Sequence, residues 1–233
     1  MSRRGYVPED ERDFSDKALP LLRRGLSDVH ELLNRGYPAK SAATFVGNRY
    51  QLSERQRLAI VRAASADEMI ALRSAKKKAS ADGGRVAVDG FNIIITLESA
   101  LSDTTVYRCM DGTVRDLAAM RGTYRILECT YKAAELLLEK VKSCEAAGAD
   151  IFLDAPVSNS GRLKSLLLDK GEAMGVDVSC ELVPNADTVL KACENVVTTD
   201  AIILNEAPSW LNFAAEIIED KLPGTRVIEL TDG

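Results

Sequence analysis

From Arg85 to the carboxyl end, short apolar runs rich in Val, Ile and Leu alternate with longer segments whose apolar residues recur at helical spacing. That alternation restricts the chain more than any other feature, because strand, helix and strand in succession close through right-handed crossovers onto a parallel sheet covered by helices. In order, "RVAVDGFNIII" reads as a strand, about Asp116 to Ala147 as helix with a break near Gly122, "DIFLDAP" as a strand, "SGRLKSLLLDKGEAMG" as a helix and "VDVSCELVP" as a strand. "NADTVLKACEN" then reads as a short helix, "VVTTDAIIL" as a strand, "SWLNFAAEIIEDKL" as a helix and "RVIELT" as a closing strand. The predicted class is α/β, a mostly parallel central sheet with helices on both faces, preceded by a small all-helical module.

The helical module is read from periodicity and punctuation. Residues 16–34 read as a helix with apolar positions at Leu19, Leu21, Leu22, Leu26, Val29, Leu32 and Leu33, and "RGYP" stops the helix because Gly36 can leave it and Pro38 prevents its return. A short helix is expected around Ser41 to Phe45. "LSERQRLAIVRA" pairs Ser53 with Gln56 in a capping-box pattern, predicting a helix to about Ser65 that carries Arg55, Arg57 and Arg62. "RSAKKKASADGG" reads as a linker, which divides the chain into a basic module, 1–82, and an α/β domain, 83–233. Charge follows the same division: residues 1–84 hold 16 Lys and Arg against 11 Asp and Glu, and residues 85–233 hold 14 against 24.

Several chemistries are disfavoured at once. The 233 residues contain no apolar run of the roughly 18 to 20 residues a membrane span needs. The start "MSRRGYVPEDERDF" has the charges of a signal peptide without its apolar core, so a cytoplasmic protein with no membrane partner is expected. Five cysteines, odd in number and without CxxC spacing, suggest neither a disulfide framework nor a zinc ribbon. His30 is the single histidine, which weakens Ser-His, Cys-His and His-rich metal mechanisms. No GxGxxG follows the first strand, which disfavours dinucleotide binding. Carboxylates are left as the carriers of any chemistry.

Four of them stand where chemistry is expected. In an open α/β sheet ligands bind beyond the carboxyl ends of the strands. Asp89 lies late in the first strand, Asp154 ends "IFLD", Asp187 opens the helix after the third strand, and Asp200 lies in "VVTTDAIIL". Brought together they repel and raise one another's pKa unless a divalent cation screens them, and an oxygen-only donor set suits Mg²⁺ or Mn²⁺. Gly90 would admit backbone close to such a site, and Asn92 would hold the Asp89 carboxylate from behind. The plainer alternative is that Asp89 caps a turn or a following helix. Asp111, Arg115 and Asp116 form a further polar cluster, readable as a turn at Asp111-Gly112 with a helix start at Asp116, or as part of the site.

"VAVDGFNIII" resembles the opening strand of the PIN/NYN-like nuclease superfamily, which ends in Asp-Gly-x-Asn. "IFLDAPVSNSG" is similar to its second acidic strand, and "NADTVL" followed by "VVTTDAIIL" resembles its late acidic helix and Thr-x-Asp strand. The match covers about residues 85–233, and the whole chain also resembles an uncharacterised prokaryotic family with a helical N-terminal region. The resemblance implies a metal-dependent ribonuclease or related nuclease using Mg²⁺ or Mn²⁺. Its metal-holding and catalytic positions would be Asp89, Asp154, Asp187 and Asp200, with Asn92 and Thr198 supporting them. Two departures stand out: Ala201 follows Asp200 and Thr188 follows Asp187, where many relatives carry second acids, which would leave the site with one strongly held ion instead of two, or with weak activity. Glu98, nine residues after Asp89, is a candidate for the missing acid.

The implied partner is nucleic acid, RNA before DNA, with a homo-oligomer left open. Phosphate contacts are expected from Arg55, Arg57 and Arg62, and from Arg162 and Lys164 near a helix N-terminus. The competing expectations are an RNA-binding or adaptor protein that kept the fold and lost catalysis, and an aspartate-based phosphatase. Phe91 weakens the phosphatase, because it stands where the aspartyl-phosphatase pattern places a second Asp.

Overall fold

A computed structural model describes residues 3–118 and 122–231. The N-terminal helices are α1 (Asp10–Asp13), α2 (Leu19–Asn34), α3 (Ala39–Arg49), α4 (Glu54–Ala63) and α5 (Asp67–Lys76). Helix α4 starts at the predicted capping box: Gln56 N–H donates to the Ser53 hydroxyl at 3.2 Å, and Ser53 N–H to Gln56 Oε1 at 3.0 Å. Helix α3 is longer than the short helix expected at 41–45, because Pro38 starts it early and nothing stops it before Arg49. These helices do not keep a core to themselves. Leu22, Leu26, Val29, Val46 and Ile60 share one with Tyr107, Ile228 and Leu230 of the following region, so residues 85–233 alone would expose that apolar surface.

The remaining elements are β1 (Arg85–Asp89), α6 (Gly90–Leu101), β2 (Val106–Arg108), β3 (Val114–Asp116), α7 (Glu128–Ser143), β4 (Gly148–Asp154) and α8 (Ser160–Met174). They continue with β5 (Val178–Val183), α9 (Ala186–Leu190), β6 (Val196–Val197), α10 (Ala201–Glu206), α11 (Phe213–Lys221) and β7 (Val227–Glu229). Strands β5, β4, β1 and β6 form, in that spatial order, a parallel sheet. Along β1 successive side chains alternate between faces: Val86 and Val88 join the main core with Ile151 and Leu153, while Ala87 joins a second cluster with Leu190, Ile203 and Trp210. Both faces are therefore covered, and the class is the predicted α/β.

Three segments differ from the sequence reading. "RVAVDGFNIII" is a strand only to Asp89; the rest is α6, buried from Gly90 to Ala100 except at Asn92. An all-round apolar helix and a buried strand look alike by composition, and packing on α7, α11 and β4 decides for the helix. "VVTTDAIIL" is likewise a two-residue strand followed by α10, with Asp200 as the cap. The stretch read as helix from Asp116 begins instead with strand β3, and helix starts only at Glu128; the part at 119–121 lies outside the described residues. The β2–β3 hairpin and β7 build a second, three-stranded sheet, so "RVIELT" closes that sheet and not the parallel one.

The lysine run is structural. Lys78 N–H donates to the Trp210 carbonyl and Trp210 N–H to the Lys76 carbonyl, which adds a short bridge beyond β6. Lys76 Nζ reaches the Asn205 carbonyl at 2.8 Å, and the Lys77 ammonium sits over the Trp210 ring.

Candidate active site

Going out from β1, the chain builds β4 and β5 on one side and then returns to place β6 on the other. The order reverses between β1 and β6, and a crevice is expected there beyond the carboxyl ends of the strands. A cleft of about 790 Å³ occupies that position. Asp89, Asp154, Asp187 and Asp200 all line it, as do Asn92, Thr199 and Asp116. The four acids anticipated from separate segments thus share one wall.

Local structure aims each of them. Asp89 is the last residue of β1, and its Oδ2 accepts from the Thr198 hydroxyl at 2.8 Å. Asp154 ends β4; its Oδ1 accepts from Ala186 N–H at 2.9 Å and so docks the start of α9, the helix that carries Asp187. Asp200 caps α10 by accepting from Ile202 N–H at 2.7 Å. The capping role and the site role are therefore compatible, since a carboxylate has two oxygens and the cap uses one.

Burial pushes the Asp89 carboxyl up to about 7; the Thr198 hydrogen bond opposes that rise, and the charges of Asp187 and Asp200 add to it. Asp187 is raised as well, by burial and then by Asp200 and Asp154. Asp116 is raised by burial, against hydrogen bonds from the Thr96 hydroxyl and Ala118 N–H. The acids thus sense one another electrostatically. All the acidic donors are oxygens, with no histidine or cysteine in the lining, and this fits a hard divalent cation. Among the described residues no three of His, Cys, Asp or Glu stand close enough to ligate one ion, so the carboxylates form a wall and not a closed cage.

Other expected positions fall elsewhere. The Asn92 side chain does not hold Asp89: its Oδ1 accepts from Thr199 N–H at 2.8 Å and the Thr199 hydroxyl at 3.0 Å, fixing the β6–α10 loop, while it is the Asn92 backbone N–H that favours the ionised Asp89 carboxyl. Thr198 does support Asp89 directly. Glu98 neither joins the cleft nor faces solvent; it is 0% exposed and accepts from Arg4 Nε at 2.6 Å, from the Tyr124 hydroxyl at 2.7 Å and from the Thr130 hydroxyl. Asp111 is buried outside the lining between Arg73 and Arg115, at 2.6 and 2.9 Å. Although burial acts to raise its pKa, Arg115 and the Thr113 hydrogen bonds hold it below the usual carboxylate range.

Arg55 is taken by Asp10 and the Leu117 carbonyl, and Arg57 by the Leu52 carbonyl and Asn48, so both tie structure together, and neither lines the cleft. Arg162 and Lys164 stand on α8 and do not line the cleft. Arg62 does line it. So does Arg73, which sequence reasoning missed because its partner Asp111 is 38 residues away and nothing local marks either as a pair.

Gly90 adjoins the acids for a steric reason. A Cβ there would lie 2.6 Å from Leu153 Cδ2, 2.9 Å from Ile151 Cγ2 and 3.1 Å from the Phe152 carbonyl oxygen. Gly90→Ala is expected to cost about 1 to 3 kcal/mol in urea unfolding by pushing α6 off β4. A variant as stable as the parent would show that the helix can move freely there.

The sequence profile of the domain described as "Domain of unknown function (DUF5616)" matches residues 78–216, and that of "Protein of unknown function (DUF434)" matches residues 21–76. The chain is similar to an uncharacterized protein of Methanocaldococcus jannaschii, with 37% identity over 185 residues that cover 78% of this chain and 88% of that relative. No solved structure matches.

Proposed function

The chain belongs to the DUF5616 family, and from that premise we propose that its cleft hydrolyses phosphodiesters with a divalent cation, acting as a ribonuclease of PIN/NYN-like kind. The observation that carries this reading is the convergence of Asp89, Asp154, Asp187 and Asp200 on one cleft at the switch point of the parallel sheet. Mg²⁺ or Mn²⁺ held by these carboxylates would supply Lewis-acid charge and a more acidic water. The chain's own contributions are separate from that. Thr198 orients Asp89, Asp154 orients the start of α9, and Asn92 braces the loop that presents Asp200. Without a cation, burial keeps the Asp89 carboxyl protonated up to near neutral pH, so a cation held there would displace that proton.

A binding protein with an idle acid cluster is the second reading, and one observation favours it: no three acidic residues reach ligating spacing among the described residues. Two measurements on the full chain separate the readings, a Mn²⁺ titration followed by melting temperature and cleavage of mixed single-stranded and structured RNAs. The hydrolytic reading expects a rise in melting temperature with Mn²⁺ and cleavage that a chelator abolishes. RNA binding indifferent to chelator, with no cleavage, would establish the binding reading.

No helix among the described residues is long and apolar enough to cross a membrane.

A further inference from the structure

The cleft has a second wall of opposite sign. Arg62 on α4, Arg73 on α5 and Arg115 on β3 line it together with the acids. Arg115 is only 9% exposed. Its Nη1 donates to the Arg62 carbonyl at 2.6 Å and its Nη2 to Asp111 at 2.9 Å, while its Nε is buried with no acceptor among the described residues. A buried donor left without a partner calls for an explanation. Arg73 donates to the same Asp111 oxygen at 2.6 Å, so two guanidiniums share one carboxylate and the wall keeps an excess positive charge. Arg62 is exposed; among the described residues its Nη1 makes a long contact of 3.4 Å to the Asp116 carbonyl and its charge acts on the Asp116 carboxylate, and the rest of its fork carries no hydrogen bond.

We propose that Arg62 and Arg115 form a phosphate-ester subsite in the cleft, with Arg73 supplying charge and no direct contact. This rests on the hydrolytic reading of the acid wall, and it names the residues that hold the substrate's anionic group beside it. A planar guanidinium fork matches two phosphate oxygens, which the exposed Arg62 can offer directly, while the enclosed Arg115 Nε is an unused donor that a shift of its neighbours would bring to an entering phosphoryl oxygen. The positive wall is electrically coupled to the acids, since Asp200 is among the charges acting on Arg115. A bare phosphate would fill little of about 790 Å³. Beyond the arginines the lining is apolar, with Leu33, Leu58, Val61 and Met69, and this surface suits the organic body of an ester. The N-terminal helices would therefore contribute one local anion contact inside the cleft instead of a basic surface along a strand.

The test is equilibrium binding to the full chain of three probes: inorganic phosphate, a nucleoside 5′-monophosphate, and a dinucleoside whose only phosphate is internal. Each is titrated with Mg²⁺ and again with chelator. Arg62→Gln should weaken binding about tenfold or more, and Arg62→Lys, which keeps the charge, should lose less. Arg115→Lys removes Nε and should also weaken binding; its melting curve shows whether it folds, and the exposed Arg62 variants carry the test if it does not. Binding of the internal phosphate assigns the subsite to a strand backbone, and binding of the monophosphate alone assigns it to a terminal phosphate. Absence of saturable binding by every probe, or wild-type affinity in Arg62→Gln, would overturn the proposal. Affinity that depends on Mg²⁺ but ignores Arg62 would sink the subsite and leave the hydrolytic reading standing. Affinity that depends on Arg62 but ignores Mg²⁺ would do the reverse.

Discussion

Asp89→Asn should make the cation-free chain more stable at pH 8 while removing cation affinity and cleavage together. The folded carboxyl titrates near 7 against an ordinary 3.8, so between those values the folded chain keeps a proton that the unfolded chain has lost. Unfolding then releases a proton, so the Asp89 contribution to wild-type stability should fall as pH rises from about 4 to about 7 and level off above that. The full penalty is on the order of 4 kcal/mol, from about 1.4 kcal/mol per pKa unit. Asn is close in shape to the neutral acid and its Oδ1 can still accept from Thr198, so the variant escapes the penalty. The gap between variant and wild type should open across that pH window and be constant above it. Adding Mn²⁺ should raise the melting temperature of the wild type only. Cleavage should fall at least about tenfold to a hundredfold, the range for removing a mere supporting partner of a metal ligand. If the variant melts below wild type at pH 8, Asp89 is a structural cap; if it cuts RNA as fast, Asp89 is not part of the chemistry.

Asp89 and Asp154 can be placed from sequence because strand ends are marked locally, an apolar run stopping at an acid, while Asp187 and Asp200 are marked as helix starts after the later strands, and parallel topology brings all four to one edge. The same logic fails for the residues just after two of these acids. Beyond Asp89 and Asp200 the chain stays apolar, so strand and buried helix cannot be told apart until neighbouring helices are known. The β2–β3 hairpin is hidden by strands of three residues each, too short to show alternation. Charged residues are the least legible class. Glu98 has the spacing of a spare ligand but serves Arg4, Tyr124 and Thr130, which lie 94, 26 and 32 residues away. Arg55 and Arg57 have the pattern of phosphate contacts but hold Asp10 and Asn48. A charge's partner is a tertiary fact, and local pattern carries no trace of it.

The largest stability loss is expected from Asp111→Asn. Asp111 has a side chain only 1% exposed and lies between the guanidiniums of Arg73, 4% exposed, and Arg115, 10% exposed. Removing its charge leaves two buried cations with no counter-ion, and an uncompensated buried charge costs about 3 to 5 kcal/mol. The damage should spread, because Arg73 also binds Asn205 of α10 and the Ser65 hydroxyl, while Arg115 binds the α4 carbonyl of Arg62. The joint between the helical region and the cleft would loosen as a unit. Arg73→Met should cost less, since it leaves Asp111 and Arg115 as a one-to-one pair and gives up hydrogen bonds instead of a charge. Lys132→Ala, which breaks a surface pair with Glu135 at 2.7 Å, should stay within about 1 kcal/mol. Urea unfolding of the three variants gives the order directly. A cost for Asp111→Asn no greater than that for Arg73→Met would mean that shape and hydrogen bonding hold the joint, and that the excess positive charge attributed to the cleft wall is already compensated.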